Sequence, residues 1–164
     1  MKTLTKRFMT LLAGLTLALA SLTPAQAADE GAKVVYHVDF NDPTRYSATL
    51  TSINNILNFY ESELMEAEVH LVFVGYGLRF TTNDDLKGTP YEADKALLER
   101  REELKGRLQS LIKVRGVKVH LCDKTRDEVG LSKDKVYDGI QLTPSGVAKI
   151  AILQSEGFAY LKIQ

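Results

Sequence analysis

Apolar positions recur along the chain with two alternating periods. Short runs rich in β-branched and aromatic residues occupy 33–38 (KVVYHV), 69–75 (VHLVFVG), 117–122 (VKVHLC), the neighbourhood of 136–142 (VYDGIQL) and 158–163 (FAYLKI), and each reads as a strand. Between them the spacing becomes helical. Behind Pro43-Thr44, Tyr46, Leu50, Ile53, Leu57 and Tyr60 fall on one face, and residues 92–112 repeat the pattern with Leu97, Leu104, Leu108 and Leu111. Thr143-Pro144-Ser145 opens a third helix, with proline in the tolerated first turn and Gly157 suited to its end. Strands alternating with helices predict an α/β fold, a three-layer α/β/α sandwich around a five-stranded, mostly parallel sheet.

The first residues follow a different pattern. Lys2, Lys6 and Arg7 precede an apolar stretch from Phe8 to Leu22, and Ala25-Gln26-Ala27 follows Pro24, the three-part layout of a secretory signal peptide. Residues 1–27 are therefore expected to be removed after Ala27, leaving residues 28–164 as a single periplasmic or secreted domain with no membrane span. Removing three basic residues leaves 18 basic against 21 acidic ones, a formal charge of −3. That balance recommends neither nucleic acid nor an anionic membrane as partner. One cysteine cannot form an internal disulfide, so the domain must be stabilised by packing alone.

Open parallel sheets bind ligands beyond the C-terminal strand ends, where loops lead into helices. The residues expected there are His37 with Asp39 and Asn41, then Gly75-Tyr76-Gly77 with Arg79, then Cys122-Asp123, then Thr143 and Ser145. Cys122 follows a strand and precedes a helix, where free N–H groups favour thiolate over thiol. Asp123, Asp127 and Glu128 oppose that effect, and Lys124 and Arg126 partly offset them. Position alone supports two readings of Cys122, a reactive thiol and a small buried hydrophobe that finishes a strand. His120 projects from the same strand face, either as a proton donor that tunes the thiol or as a satisfied core histidine. His70 lies near a strand start, the opposite end from the expected site. No close ligand spacing of the zinc type links the histidines and the cysteine, and Gly75-Tyr76-Gly77 lacks the further glycine of a dinucleotide fingerprint, so neither a metal nor a cofactor is expected. The connection over 76–91 is long for a compact α/β unit; as a lid it would bring Arg79 to an anionic sulfur ligand, and it could equally face a neighbouring subunit.

The segment from Gly116 to Cys122, followed by a short helix and Gly130-Leu131-Ser132, resembles the strand–cysteine–helix unit of the DsrE/DsrF-like family of small sulfur-relay proteins. The similarity extends through KVVYHV, VHLVFVG, IQLTPSGVAKIAILQSEG and FAYLKI, most of residues 28–164. The resemblance implies a DsrE-like domain in which Cys122 carries persulfide sulfur, received from or passed to a partner protein or a small sulfur compound, and a chain that assembles into oligomers. Catalysis is not assigned by sequence alone. The competing expectation is a non-catalytic oligomeric binding module of the same fold, with a structural cysteine.

Overall fold

The computed structural model describes residues 31–164, and the expected signal segment lies outside them. Strand β1 (Ala32–Val38) leads to α1 (Pro43–Ser62), β2 (Ala67–Phe73), a 3-10 helix (Gly75–Phe80), α2 (Lys95–Lys113) and β3 (Lys118–Cys122). The short α3 (Asp123–Glu128), a second 3-10 turn (Lys133–Lys135), β4 (Ile140–Thr143), α4 (Gly146–Ser155) and β5 (Ala159–Leu161) complete the chain. Helix starts follow local chemistry. The Asp42 carboxylate accepts from the N–H groups of Thr44 and Arg45 with Pro43 in the first turn, Asp94 caps α2 through Leu97, and Ser145 caps α4 through Ala148.

All strand pairs are parallel, in the order β4-β3-β2-β1-β5. The chain steps in one direction from β1 to β4 and then reverses to reach β5. Right-handed crossovers in opposite directions land on opposite faces, so α1 and α2 cover one side and α4 the other. The sandwich is unequal. Tyr36, Tyr46, Leu50, Ile53, Leu71, Phe73, Leu104, Leu108 and Leu121 belong to the large core under α1 and α2, while Val35, Val72, Ile150, Leu153 and Phe158 form a small one under α4. Alternation sends His70, His120 and Cys122 to this second, thinly covered face with Val72.

Two segments differ from the sequence reading. The expected strand around 136–142 begins only at Ile140, because Val136 forms an antiparallel bridge with Thr82 and the chain then turns through Gly139 at φ +83°. The connection over 76–91 opens in the 3-10 helix and continues in anchored turns. Arg101 holds the Asn83 carbonyl at 3.0 Å and Asp85 at 2.8 Å, and Leu86 is buried. Gly77 is needed here, since a Cβ on it would stand 2.2 Å from the Val38 carbonyl oxygen.

Candidate functional site

Cys122 ends β3 and supplies the N-cap of α3, with its side chain only 5 % exposed. Its strand partner is Thr143, which brings the first turn of α4 alongside. The approach is close: a Cβ built on Gly146 would lie 3.1 Å from the Cβ of Cys122 and 2.6 Å from Val74. Burial pushes the thiol pKa up, but the N–H groups of Gly146, Thr125 and Lys124 and the Thr125 hydroxyl oppose it. Together they hold it below the ordinary thiol value. These donors crowd the sulfur from two helix starts, and none completes a formal cap hydrogen bond.

Two carboxylates of the acidic run after the cysteine are paired locally. Arg126, itself buried, reaches the Asp123 carboxylate at 2.6 Å and Asp127 at 3.2 Å, and it donates to the Leu131 carbonyl. The Arg126 hydrogen bond keeps the Asp123 carboxyl below its usual value. Above the sulfur, the Gly75 N–H donates to the Thr125 hydroxyl at 3.2 Å, and the next residue, Tyr76, meets Tyr91 edge-on at 5.5 Å between ring centres. Burial raises the phenol pKa of Tyr91, and the charges of Glu128, Tyr76 and Cys122 raise it further, which puts this ring within electrostatic reach of the sulfur. The two ends of the 76–91 connection therefore meet beside the cysteine.

The other sequence candidates are distributed around this point rather than gathered on it. His120 shares the face of Cys122, but its Nε2 lies 2.9 Å from Nδ1 of His70, with the rings nearly parallel and 5.1 Å apart. His70 in turn reaches Glu68 at 3.0 Å, and Glu68 pairs with Lys118. His120 is thus bound toward the start of the strands, away from the thiol. Burial, with help from His70, lowers its pKa to about 4. His37 on β1 is two strands from β3, ~10 Å across the sheet. There its Nδ1 lies 2.9 Å from the Tyr160 hydroxyl, while Asp39 pairs with Lys162 at 2.8 Å. Arg79 is 3 % exposed and its Nη2 stands 2.9 Å from the Asp94 carboxylate, a charge contact without aligned hydrogen-bond geometry. It fastens the 3-10 helix to the start of α2. Among the described residues, no group of three or more His, Cys, Asp or Glu is placed to hold a metal ion.

Sequence reasoning missed Gly146, Thr125 and the role of His70. Thr125 carried a signal, since it lies three residues after a cap position, where a first-turn side chain can reach back to the cap. Gly146 and His70 carried none, because their contacts depend on which strands become neighbours.

A cleft of about 620 Å³ between Thr82–Asp84, α2 and the turn before β4 is lined by Lys105, Gln109, Lys135 and Tyr137, and does not include the cysteine.

No curated protein matches the chain. A solved structure of the protein of unknown function MTH1491 from Methanobacterium thermoautotrophicum superimposes with a TM-score of 0.61 at 23 % identity, covering 80 % of this chain and 98 % of that one. The ychN protein of E. coli gives a TM-score of 0.50 at 16 % identity, covering 80 % of this chain and 99 % of its own. These likenesses concern the fold. Residues 33–163 match the DsrE/DsrF-like family, and the chain belongs to that family.

Proposed function

We propose that the protein is an exported sulfur carrier or sulfurtransferase in which Cys122 accepts a sulfur atom as a persulfide and passes it on. The observation that carries this reading is the ring of donors from two helix starts around one buried sulfur, which lowers the thiol pKa despite burial. The thiolate attacks the outer sulfur of a persulfide or thiosulfate donor. A new S–S bond forms at Cys122, the donor S–S bond breaks, and its electron pair leaves on the donor thiolate or on sulfite. No outside oxidant is needed. Transfer to an acceptor thiolate is the same displacement in reverse. The terminal persulfide sulfur is anionic and would face the same donors.

Export rests on the residues from Lys2 to Ala27. Self-association is supported by α4, which is largely apolar and, among the described residues, is the helix that covers the second face of the sheet. Its outer side presents Val147 at 64 % and Ile152 at 51 % exposure, and a second copy of this chain is the proposed cover. The low exposure of Cys122 favours one competing reading, a structural cysteine in a binding module.

Mass spectrometry after exposure to thiosulfate or polysulfide separates the two. The carrier reading expects one added sulfur mass on the native protein that Cys122→Ser abolishes. A native thiol that gains no sulfur and is alkylated only after unfolding establishes the structural reading instead.

A further inference from the structure

We infer that Tyr160, His37 and Asp39 form a second reactive site, separate from Cys122: the exposed phenol is a nucleophile for activated acyl groups, His37 is its base and Asp39 orients that base. The site does not rest on the sulfur-carrier reading.

Val35 and Tyr160 are partners in the parallel β1–β5 pair, and His37 follows Val35 by two residues, so both side chains stand on the α4 face. The tyrosine spans this diagonal and brings its hydroxyl to 2.9 Å from Nδ1 of His37, its one hydrogen bond among the described residues. Nε2, across the ring, is buried without a hydrogen-bond partner, and the Asp39 carboxylate stands 4.0 Å from it. That charge sets the direction of the proton. A carboxylate facing Nε2 favours the tautomer that carries hydrogen there, which leaves a lone pair on Nδ1 and makes the Tyr160 hydroxyl the donor. Burial lowers the pKa of His37 and so keeps the ring neutral near pH 7; of the two charges that face it, Asp39 acts more strongly than Lys162. A hydroxyl donated to a neutral imidazole, with a third group orienting that imidazole, is the arrangement that activates a nucleophile, and such contacts are often looser before substrate binds.

The position fits a ligand as well. His37 and Tyr160 lie at the C-terminal ends of β1 and β5, on the edge where parallel sheets bind small molecules. When the Tyr160 oxygen attacks an acyl carbon, a C–O bond forms and the phenol proton passes to Nδ1. The bond to the leaving group breaks, and its electron pair departs with that group. Asp39 then faces an imidazolium. Phosphoryl transfer would call for free cations on the transferred oxygens, whereas Lys162, the cation that faces His37, is held by Asp39 at 2.8 Å.

Tyr76 supplies an internal control, because it is 42 % exposed against 39 % for Tyr160, and its ring meets Tyr91 rather than a histidine. The probe is p-nitrophenyl acetate on the purified protein, with acetylated sites located by peptide mass spectrometry. At pH 7 Tyr160 should be acetylated about tenfold faster than Tyr76, a modest share of what a well-placed general base provides. Its rate should rise as His37 loses its proton, with a midpoint below 6.5, and then level off, while the rate at Tyr76 keeps climbing toward the ordinary phenol value of about 10. The charged and titratable groups facing His37 are Asp39, Lys162 and Tyr160; its β2 partner is Val72, and Lys149 of α4 acts on His70 and His120. His37→Gln can still hydrogen-bond the phenol but cannot take its proton, and should bring Tyr160 down to the rate of Tyr76. Equal rates at the two tyrosines of the wild type, or a His37→Gln rate equal to wild type, overturns the inference. If His37→Gln does not fold, the wild-type pH profile decides: a Tyr160 rate that climbs as that of Tyr76 does overturns it.

Discussion

Nδ1 of His70 and Nε2 of His120 stand 2.9 Å apart beneath α4, a contact that one shared proton satisfies and two protons disrupt. Both rings are therefore neutral in the folded protein near pH 7. Burial lowers both pKa values, that of His120 to about 4. An unfolded chain protonates these rings at the ordinary histidine value of 6.5, while in the folded chain His120 stays neutral until about 4 and His70 also titrates below its ordinary value. Stability is thus complete above pH 6.5 and falls as pH drops toward 4. The loss attributable to His120 is on the order of 3 kcal/mol, and urea midpoints measured across this range should show it. His120→Gln should flatten the slope. An unchanged slope in that variant would place the acid sensitivity elsewhere.

Gly146 leaves no room for a side chain between Val74 and Cys122. Gly146→Ala should push α4 away from β3, destabilising the protein by about 1–3 kcal/mol, the usual range for overpacking. The same shift withdraws the Gly146 N–H from the sulfur, so the alkylation midpoint of Cys122 should rise. Calorimetry reads the first effect and iodoacetamide kinetics the second.

Arg126 pairs with Asp123 and Asp127, the carboxylates that follow the thiol on α3. Arg126→Met should expose the sulfur to both carboxylates and raise its pKa, and loss of the bond to the Leu131 carbonyl should cost about 1–3 kcal/mol of stability. Asp123→Asn in the same background should recover part of the thiol shift. A midpoint indifferent to both substitutions would mean that the acidic run is screened by solvent.

Val147 and Ile152 lie on the uncovered side of α4, so charging them tests assembly without entering the core. Val147→Glu with Ile152→Glu should leave circular dichroism unchanged and reduce the mass by light scattering to that of one chain. A wild-type mass of one chain at every concentration would remove the proposed self-association.

The period of apolar residues made the α/β class and the five-stranded, mostly parallel sheet readable, because a covered strand and an amphipathic helix leave different spacings. The start of β4 was not readable: Val136 and Tyr137 have strand-like composition, yet they are engaged by Thr81 and Thr82 from a distant loop. Cys122 at a strand end before a helix was legible in the same way. His37 and Arg79 illustrate what spacing cannot decide. Both lie at or just beyond strand ends, but the strand order carries His37 toward Tyr160, and Asp94 holds Arg79 at the start of α2. The sequence reads His70 as near a strand start, whereas it is the central residue of β2; its link to His120 depends on β2 and β3 being neighbours. Gly146 likewise meets Cys122 only once β4 lies beside β3.

The donors around Cys122 make its ionisation a structural event as well as a chemical one. In the unfolded chain the thiol has its ordinary affinity for a proton, and folding weakens that affinity. By linkage the relation runs both ways, so the folded state is favoured more strongly once pH exceeds the folded thiol pKa, and the gain disappears as pH falls back through it. Negative charge on one sulfur thus acts as a clasp between the first turns of α3 and α4. Capping that sulfur with a neutral group releases the clasp, so the chain is held most firmly in the ionic form that is also its most nucleophilic.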